Sequence, residues 1–303
     1  MAQNILVIYY SQSGQLTEIL ESFCKPFNNS IIEWVKVEPV TPFPFPWNGP
    51  AFFDAMPETV LEKPIPIKEP RFSCDRYDLI VFGYQPWFLS PSLPASSILQ
   101  HENFRKLMKD TPVVSVLGCR NMWINSQEAV KKQIASAGGK LIGNVPLIDK
   151  TSNLVSVVTI LHWMLTGQKT KKWGIFPKPG VSDEDIAGTS QFGELLKEKL
   201  ASGQADSFQE ALIAKGGVII PISILFIESR AKKLFLIWAN LIIKKTEKGG
   251  NRKFWVNFFK YYLIFALFIV SPIVLTIYHI FVRPFTGKHI KRELAYYRGT
   301  QLR

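Results

Sequence analysis

The chain has 303 residues, 47% of them apolar and 20% charged, which excludes a disordered polymer and allows one large domain or an ordinary domain with an extension. Three scattered cysteines, Cys24, Cys74 and Cys119, form no CxxC pair and no zinc spacing, so a disulfide framework and a metal site are not expected and a reducing compartment is. The net charge of +12 is unevenly spread: residues 1–215 carry 21 basic and 21 acidic side chains, whereas residues 216–303 carry 15 and 3.

In chain order, Ile5–Tyr10 is a continuous apolar run suited to a buried parallel strand, and no basic segment precedes it, so no signal peptide is expected. Leu16, Ile19, Leu20 and Phe23 then recur at helical spacing. A second strand is predicted over Ile31–Val37. Residues 39–70 hold nine prolines and the run "TPFPFPWNGPAFFDAMPE", a density that predicts no regular helix. Exposing Phe43, Phe45, Trp47, Phe52 and Phe53 together would be costly, so this segment either covers a site or packs on itself. Further strands are predicted at Asp78–Gly83, in "PVVSVLG" ending at Gly118, and over Leu141–Leu147, with helices over Ala95–Met108 and from a Ser126 cap to Ala137, closed by Gly138-Gly139. Five strands alternating with helices predict an α/β, doubly wound parallel sheet. The stretch 153–165, "NLVSVVTILHWML", reads as a buried helix or a pocket wall, and Ser182 before Asp183, Glu184 and Asp185 as a helix start running to Lys199.

The tail is apolar and basic. The runs 218–227 and 234–243 are each too short to span a bilayer, which takes ~20 residues, while 261–282 is long enough and has Pro272 near its middle. Basic residues flank it on both sides: Lys244, Lys245, Lys248, Arg252 and Lys253 before, Arg283, Lys288, Lys291 and Arg292 after. One crossing would place a basic flank outside, so a hairpin bent at Ser271-Pro272, or helices lying in the interface, is expected. Bases interleaved with Ile, Leu and Phe fit the cytoplasmic membrane surface rather than nucleic acid. The division expected is therefore 1–215 and 216–303.

Three predicted strand ends carry matching chemistry. "SQSGQLTE" (residues 11–18) places Ser11, Ser13 and Gly14 between a strand and a helix N-terminus, an anion site without the GxxxxGK[ST] or GxGxxG spacing of nucleotide loops. "GYQPWFLSPSLP" (83–94) brings Trp87 and Phe88 to the same edge, and "GCRNMW" (118–123) brings Arg120, Asn121 and Trp123. A flat cofactor with a phosphate tail suits this arrangement. Arg120, Asn121, His101 and His162 are the candidates for catalytic polar work; a lone histidine on an apolar helix is more often a satisfied core residue, and His279 and His289 in the basic tail are not expected to be catalytic.

Residues 3–150 resemble the flavodoxin-like fold, whose phosphate loop is T/S-x-T/S-G-x-T. Ser11, Ser13 and Gly14 match it, Leu16 stands at the last Thr, and Thr17 comes one position late. The resemblance implies FMN, bound by Ser11, Gln12, Ser13, Gly14, Gln15, Leu16 and Thr17 at the phosphate, and by Pro86, Trp87, Phe88 and Leu89 with Gly118, Cys119, Arg120, Asn121 and Trp123 around the ring. Taken together, "YYSQSGQLTE", "PFPFPW…FFDAMPE", "GYQPWFLSPSLP" and "GCRNMW" resemble the flavodoxin-like proteins of bacterial dialkylresorcinol biosynthesis, often labelled condensing enzymes. That resemblance implies an aromatase that oxidises a dialkyl cyclohexane-1,3-dione to a dialkylresorcinol, the condensation belonging to a separate ketosynthase partner. The basic flanks of the tail put the chain on the cytoplasmic side of the inner membrane, with a homodimer as one option and the oligomeric state left open. A membrane-associated NAD(P)H:quinone-type reductase and a tethered flavodoxin electron carrier are the alternatives.

Overall fold

A computed structural model of the chain describes residues 3–303. Five strands form one parallel sheet: β1 (Asn4–Tyr9), β2 (Ile31–Lys36), β3 (Leu79–Tyr84), and two more labelled below. After β3 the chain makes a small antiparallel hairpin, β4 (Pro86–Trp87) with β5 (Ser90–Pro91), before β6 (Pro112–Cys119) and β7 (Lys140–Ile148) complete the sheet. The sheet order is β2-β1-β3-β6-β7, all parallel, with Val7 opposite both Trp34 and Val81. In strand numbers of the sheet alone this is 2-1-3-4-5, the flavodoxin-like order. Apart from the half-buried Asn4, β1 and β3 are apolar and buried on both faces, as parallel strands between helical layers must be.

The helices are α1 (Gln15–Cys24), α2 (Gly49–Asp54), α3 (Met56–Val60), α4 (Leu93–Gln100), α5 (Glu102–Met108), α6 (Ile124–Ser136), α7 (Asn153–Thr166), α8 (Asp183–Gly188), α9 (Ser190–Ala201), α10 (Phe208–Ala214) and α11 (Ile222–Glu247). α1 packs with α8 and α9, and α10 lies on β7; α4 and α6 pack together, with α11 against α6 and α3. At Gly193 of α9 an added Cβ would lie 1.9 Å from the Phe23 carbonyl oxygen, so this crossing needs glycine.

Several predicted boundaries move. The helix predicted over Ala95–Met108 is two, because His101 takes an extended backbone (ψ 127°) between α4 and α5. Ser126 does not cap α6: it is inside the first turn, and its Oγ donates to the Trp123 carbonyl. The proline-rich segment does form helix, in two short pieces, because Pro50 and Pro57 sit in first turns where a missing N–H is harmless. Asn48 caps α2 by accepting from Ala51 N at 2.8 Å. The helix started by Ser182 breaks at Thr189 into α8 and α9.

The tail differs most. The second short apolar run and the first from Ile222 on belong to one 26-residue helix, α11, and a second helix runs from Arg252 to Phe285 for 34 residues, long and apolar enough to cross a bilayer by length and composition. The pair is a hairpin, but its turn is at residues 248–251, closed by Gly249 (φ 80°), not at Ser271-Pro272. The long helix continues through Pro272, which follows a π-helical stretch at Ala266–Val270. Widened turns of this kind absorb a residue that cannot donate. A terminal helix, Gly287–Arg298, follows.

The hairpin lies along the α/β body. Val218, Ile220 and Leu225 join the main core, and Leu294 and Tyr297 pack against it. A second apolar cluster combines Met56, Val60 and Leu89 with Phe235, Ala239, Ile242, Val256 and Phe259 of the hairpin. Arg252 ties the hairpin tip to the α2–α3 segment through Asp54 (2.6 Å) and a two-pronged pair with Glu58 (2.9 and 2.7 Å). At the other end Tyr278 stacks on Phe226 with ring centroids 3.7 Å apart. The outward face of the long helix, including Phe254, Phe258, Tyr261, Phe265, Ile269, Ile273 and Phe281, is exposed.

Candidate functional site

Parallel strands end where the helices that follow them begin, so the carboxyl edge of the sheet gathers open amides and loop side chains. There, at the switch point between β1 and β3, lies a cavity of about 250 Å³. Its wall includes Gln12, Ser13, Gln15 and Leu16 from the β1–α1 loop, Pro86, Trp87 and Phe88 after β3, and Gly118, Cys119 and Arg120 at the end of β6. All three strand ends singled out in the sequence meet.

The two ends of the cavity differ in chemistry. At the first loop, Gly14 takes φ +89°, with open space where a side chain would be, and no side chain caps α1. The amides of Gln15 and Leu16 therefore stand at the positive end of a ten-residue helix. Ser11 Oγ is buried without a hydrogen-bond partner. A buried hydroxyl beside open amides is the donor set a phosphate monoester needs. Thr17 instead sits in the first turn, its amide bonded to the Gly14 carbonyl at 2.9 Å.

The opposite end is aromatic. Trp87 meets Tyr10, Phe43 and Trp47 edge to face, at centroid distances of 5.9, 5.0 and 5.3 Å. Phe45, Trp47 and Phe52 of the proline-rich segment line the cavity, with Phe52 against Phe88 at 4.7 Å. Ile160, Trp163 and Met164 of α7 close another side, as the pocket-wall reading of residues 153–165 anticipated. The proline-rich segment is fastened to the first loop by Gln12 Nε2 donating to Pro44 O (2.9 Å) and to α7 by Trp47 N donating to Met164 O (2.7 Å).

Among the described residues, Arg120 is the one cation in the cavity wall. Its Nη1 donates to Asn153 O (3.0 Å), Asn153 Oδ1 (2.6 Å) and Ser156 Oγ (3.2 Å), and burial lowers its pKa to about 10. It stays charged at neutral pH, in a fixed position. Asn121 is buried behind it, donating to Asn153 Oδ1 at 3.0 Å while its own Oδ1 has no partner. Cys119 lines the cavity, with burial first and Glu228 second pushing its thiol pKa up, which makes it a poor nucleophile.

Other predicted residues, among them Ser11, Gly14 and Thr17 of the first loop, fall outside the cavity wall. His101 sits at the α4–α5 junction, 3.3 Å from Glu69. His162 is on α7, next to the wall residue Trp163 but not itself in the wall. Trp123 is buried at the start of α6 with its Nε1 unpartnered. Leu89 is buried in the second apolar cluster and is not in the cavity wall, whereas Phe88 reaches both.

Three contributions were not foreseen. Gln15 exchanges hydrogen bonds with the Val181 backbone (3.0 and 3.1 Å), and at neighbouring Gly180, φ +81°, an added Cβ would lie 2.7 Å from Gln15 Oε1. Glu228 of α11 is fully buried, its Oε1 accepting from Asn125 N at 2.8 Å, so the tail caps the helix that follows β6. The β4–β5 turn is made by Phe88 (φ 45°) and Leu89 (φ 62°), left-handed positions that cost bulky residues ~1–2 kcal/mol each. No sequence signal marks such a turn, because two-residue hairpins favour Asn and Gly there.

No protein-family model matches the chain, and no curated protein does. Among solved structures, it is similar to a flavoprotein in complex with FMN from Lactobacillus acidophilus NCFM, at 20% identity over 48% of this chain and 93% of that one, TM-score 0.38. It is also similar to a flavodoxin from the domain Archaea (10% identity, 65% and 99% covered, TM-score 0.33) and to oxidised flavodoxin 1 from Bacillus cereus (15%, 63% and 95%, TM-score 0.31). At these values the fold rests on the strand order itself.

Proposed function

We propose that the chain is an FMN-dependent oxidoreductase that takes a lipophilic ring substrate at a membrane surface. The observation that carries this reading is one cavity with the open N-terminus of α1 at one end, lined by Ser13, Gln15 and Leu16, and an aromatic box at the other. FMN has a phosphate for the first and a flat ring for the second. Ser11, Ser13 and the Gln15 and Leu16 amides would hold the phosphate; Pro86–Phe88 and Gly118–Arg120 would flank the ring. When bound, FMN supplies a two-electron acceptor.

The finer reading is aromatisation of a dialkyl cyclohexane-1,3-dione to a dialkylresorcinol. The substrate loses two electrons and two hydrogens, one as hydride and one as the acidic proton between its carbonyls. Arg120, fixed by Asn153 and Ser156, would donate to the enolate oxygen and lower the cost of losing that proton. Phe45, Trp47 and Phe52 would keep water out and receive the apolar ring. A lid of this kind favours an enzyme over an electron carrier, whose flavin edge must meet a protein. A ketosynthase that makes the dione would act before it.

The tail supports a monotopic seat on the cytoplasmic side of the inner membrane. α11 is pinned to the body through Glu228, and the long helix through Arg252 and Tyr278, so it runs beside the body with its apolar face outward. Basic Lys244, Lys245, Lys248, Lys253 and Lys260 cluster toward one end and Arg283, Lys288, Lys291 and Arg292 toward the other. Such residues each contribute about 1 kcal/mol at an anionic surface.

The test is the visible spectrum of the detergent-purified protein, then anaerobic mixing with a dialkyl cyclohexanedione or with NADPH. Bleaching by the dione, with formation of the resorcinol, is expected. Bleaching by NADPH alone would favour a quinone-reductase activity. Colourless protein that takes up no FMN would refute the flavin reading.

A further inference from the structure

The β4–β5 turn poses a physical question. Phe88 and Leu89 occupy successive left-handed positions, which L side chains avoid, so something outside the turn must hold it. The hairpin of the tail does so. Leu89 is buried in the cluster with Phe235, Ala239, Ile242 and Phe259, and Phe88 meets Phe259 at 6.5 Å as well as Phe52. Lys232 of α11 is mostly buried, and its Nζ donates to Ser90 Oγ at 2.5 Å, with the carbonyls of Leu89 and Val60 at 3.5 Å and Glu62 Oε1 at 3.8 Å. Ser90 itself is fully buried. On the other side of the same loop, Pro86, Trp87 and Phe88 form the aromatic wall of the cavity.

We infer that the tail hairpin is a working part of the site: Lys232 is a positioning residue that, with the apolar face behind Leu89, holds the strained turn so that Trp87 and Phe88 face the cavity. The inference rests on the flavin reading for its effect on cofactor, but the clamp itself is a property of the chain. A buried ammonium is stable only where several acceptors converge, and here the acceptors belong to the turn and to α3, so losing the ammonium frees both. The tail thus reaches the cavity through the turn, without touching it.

The experiment uses the full chain in detergent with Lys232→Met, Lys232→Arg, Ser90→Ala and the Lys232→Met/Ser90→Ala double variant. Hydrogen exchange of the flavin-free protein reads the turn, and FMN titration and the potential of the bound flavin read the site. Lys232→Met is expected to speed exchange in residues 86–91 and to weaken FMN binding by about tenfold, the loss of one charge-assisted hydrogen bond. Peptides from β1, β3 and β6 should keep their protection. Lys232→Arg should restore most of both effects, and the double variant should add little to Lys232→Met. Ser90→Ala, a small change that cuts the same bond, should act in the same direction and keeps the test available if Lys232→Met does not fold. Unchanged exchange in residues 86–91 in both Lys232→Met and Ser90→Ala, or equal loosening of the sheet, would overturn the clamp. Exchange that responds while the wild-type chain binds no FMN would leave the clamp standing and sink the flavin reading instead.

Discussion

Replacing Glu228 by glutamine should change how stability depends on pH, in a direction fixed by its burial. The carboxyl is fully buried; Oε1 accepts from Asn125 N (2.8 Å) and Asn125 Nδ2 (3.2 Å), and Oε2 has no partner. Burial raises its pKa from 4.5 to about 7, against the opposing pull of the Asn125, Ile124 and Trp123 amides. Tyr84, Cys119, Arg120, Lys232 and Tyr297 are titratable groups whose charge couples to it. Between these two pKa values the unfolded chain gives up the proton and the folded chain keeps it. The folded state therefore binds more protons, and stability contributed by the neutral carboxyl is full below about pH 4.5 and lost as pH rises to about 7. A shift of that size corresponds to roughly 3 kcal/mol. Glutamine has the shape of the neutral acid and no proton to lose. Thermal midpoints of wild type and Glu228→Gln, measured in parallel at pH 4.5, 5.5, 6.5 and 7.5, should diverge as pH rises, with wild type falling behind by about 6 °C at a few degrees per kcal/mol. A constant difference, or wild type gaining on the variant at high pH, would refute the reasoning.

Gly14→Val should abolish FMN uptake, because valine at φ +89° cannot keep the loop against the helix end; equilibrium dialysis with FMN checks this. Phe52→Ser with Phe53→Ser should raise KM for a long-chain dione while FMN stays bound, and unchanged kinetics would remove the lid from the reading. Gly193→Ala should destabilise the chain by several kcal/mol, since its Cβ would lie 1.9 Å from the Phe23 carbonyl; denaturant melts would show it. Attachment to membranes should survive high salt and need detergent for release. A cysteine at Thr300 should stay shielded from an impermeant external reagent in intact cells; labelling would mean that the long helix crosses the bilayer.

The sheet and the open helix end beside the cavity were legible because both are local. A parallel strand buried on two faces must be a continuous apolar run, as Ile5–Tyr10 is, and a hydroxyl-rich turn before a helix must offer amides, as Ser11–Gly14 does. The aromatic wall was half legible: five large rings in a proline-rich segment need cover, but their partners Trp87 and Trp163 are set by contacts far along the chain. The Pro57 helix start looked like a helix breaker because composition does not say which residue occupies a first turn. Where the tail packs on the body was decided by tertiary structure alone. Its sequence shows apolar runs and basic flanks, from which a bend at Pro272 or helices lying in the interface was expected over a span. That packing came from pairings across 100 residues and more, Glu228 with Asn125, Lys232 with Ser90 and Arg252 with Asp54 and Glu58, in which a polar group leaves water only because its partner waits on another element. Periodicity within a segment carries no trace of such partners, so one stretch of sequence could foretell the strand but not the surface on which the tail comes to rest.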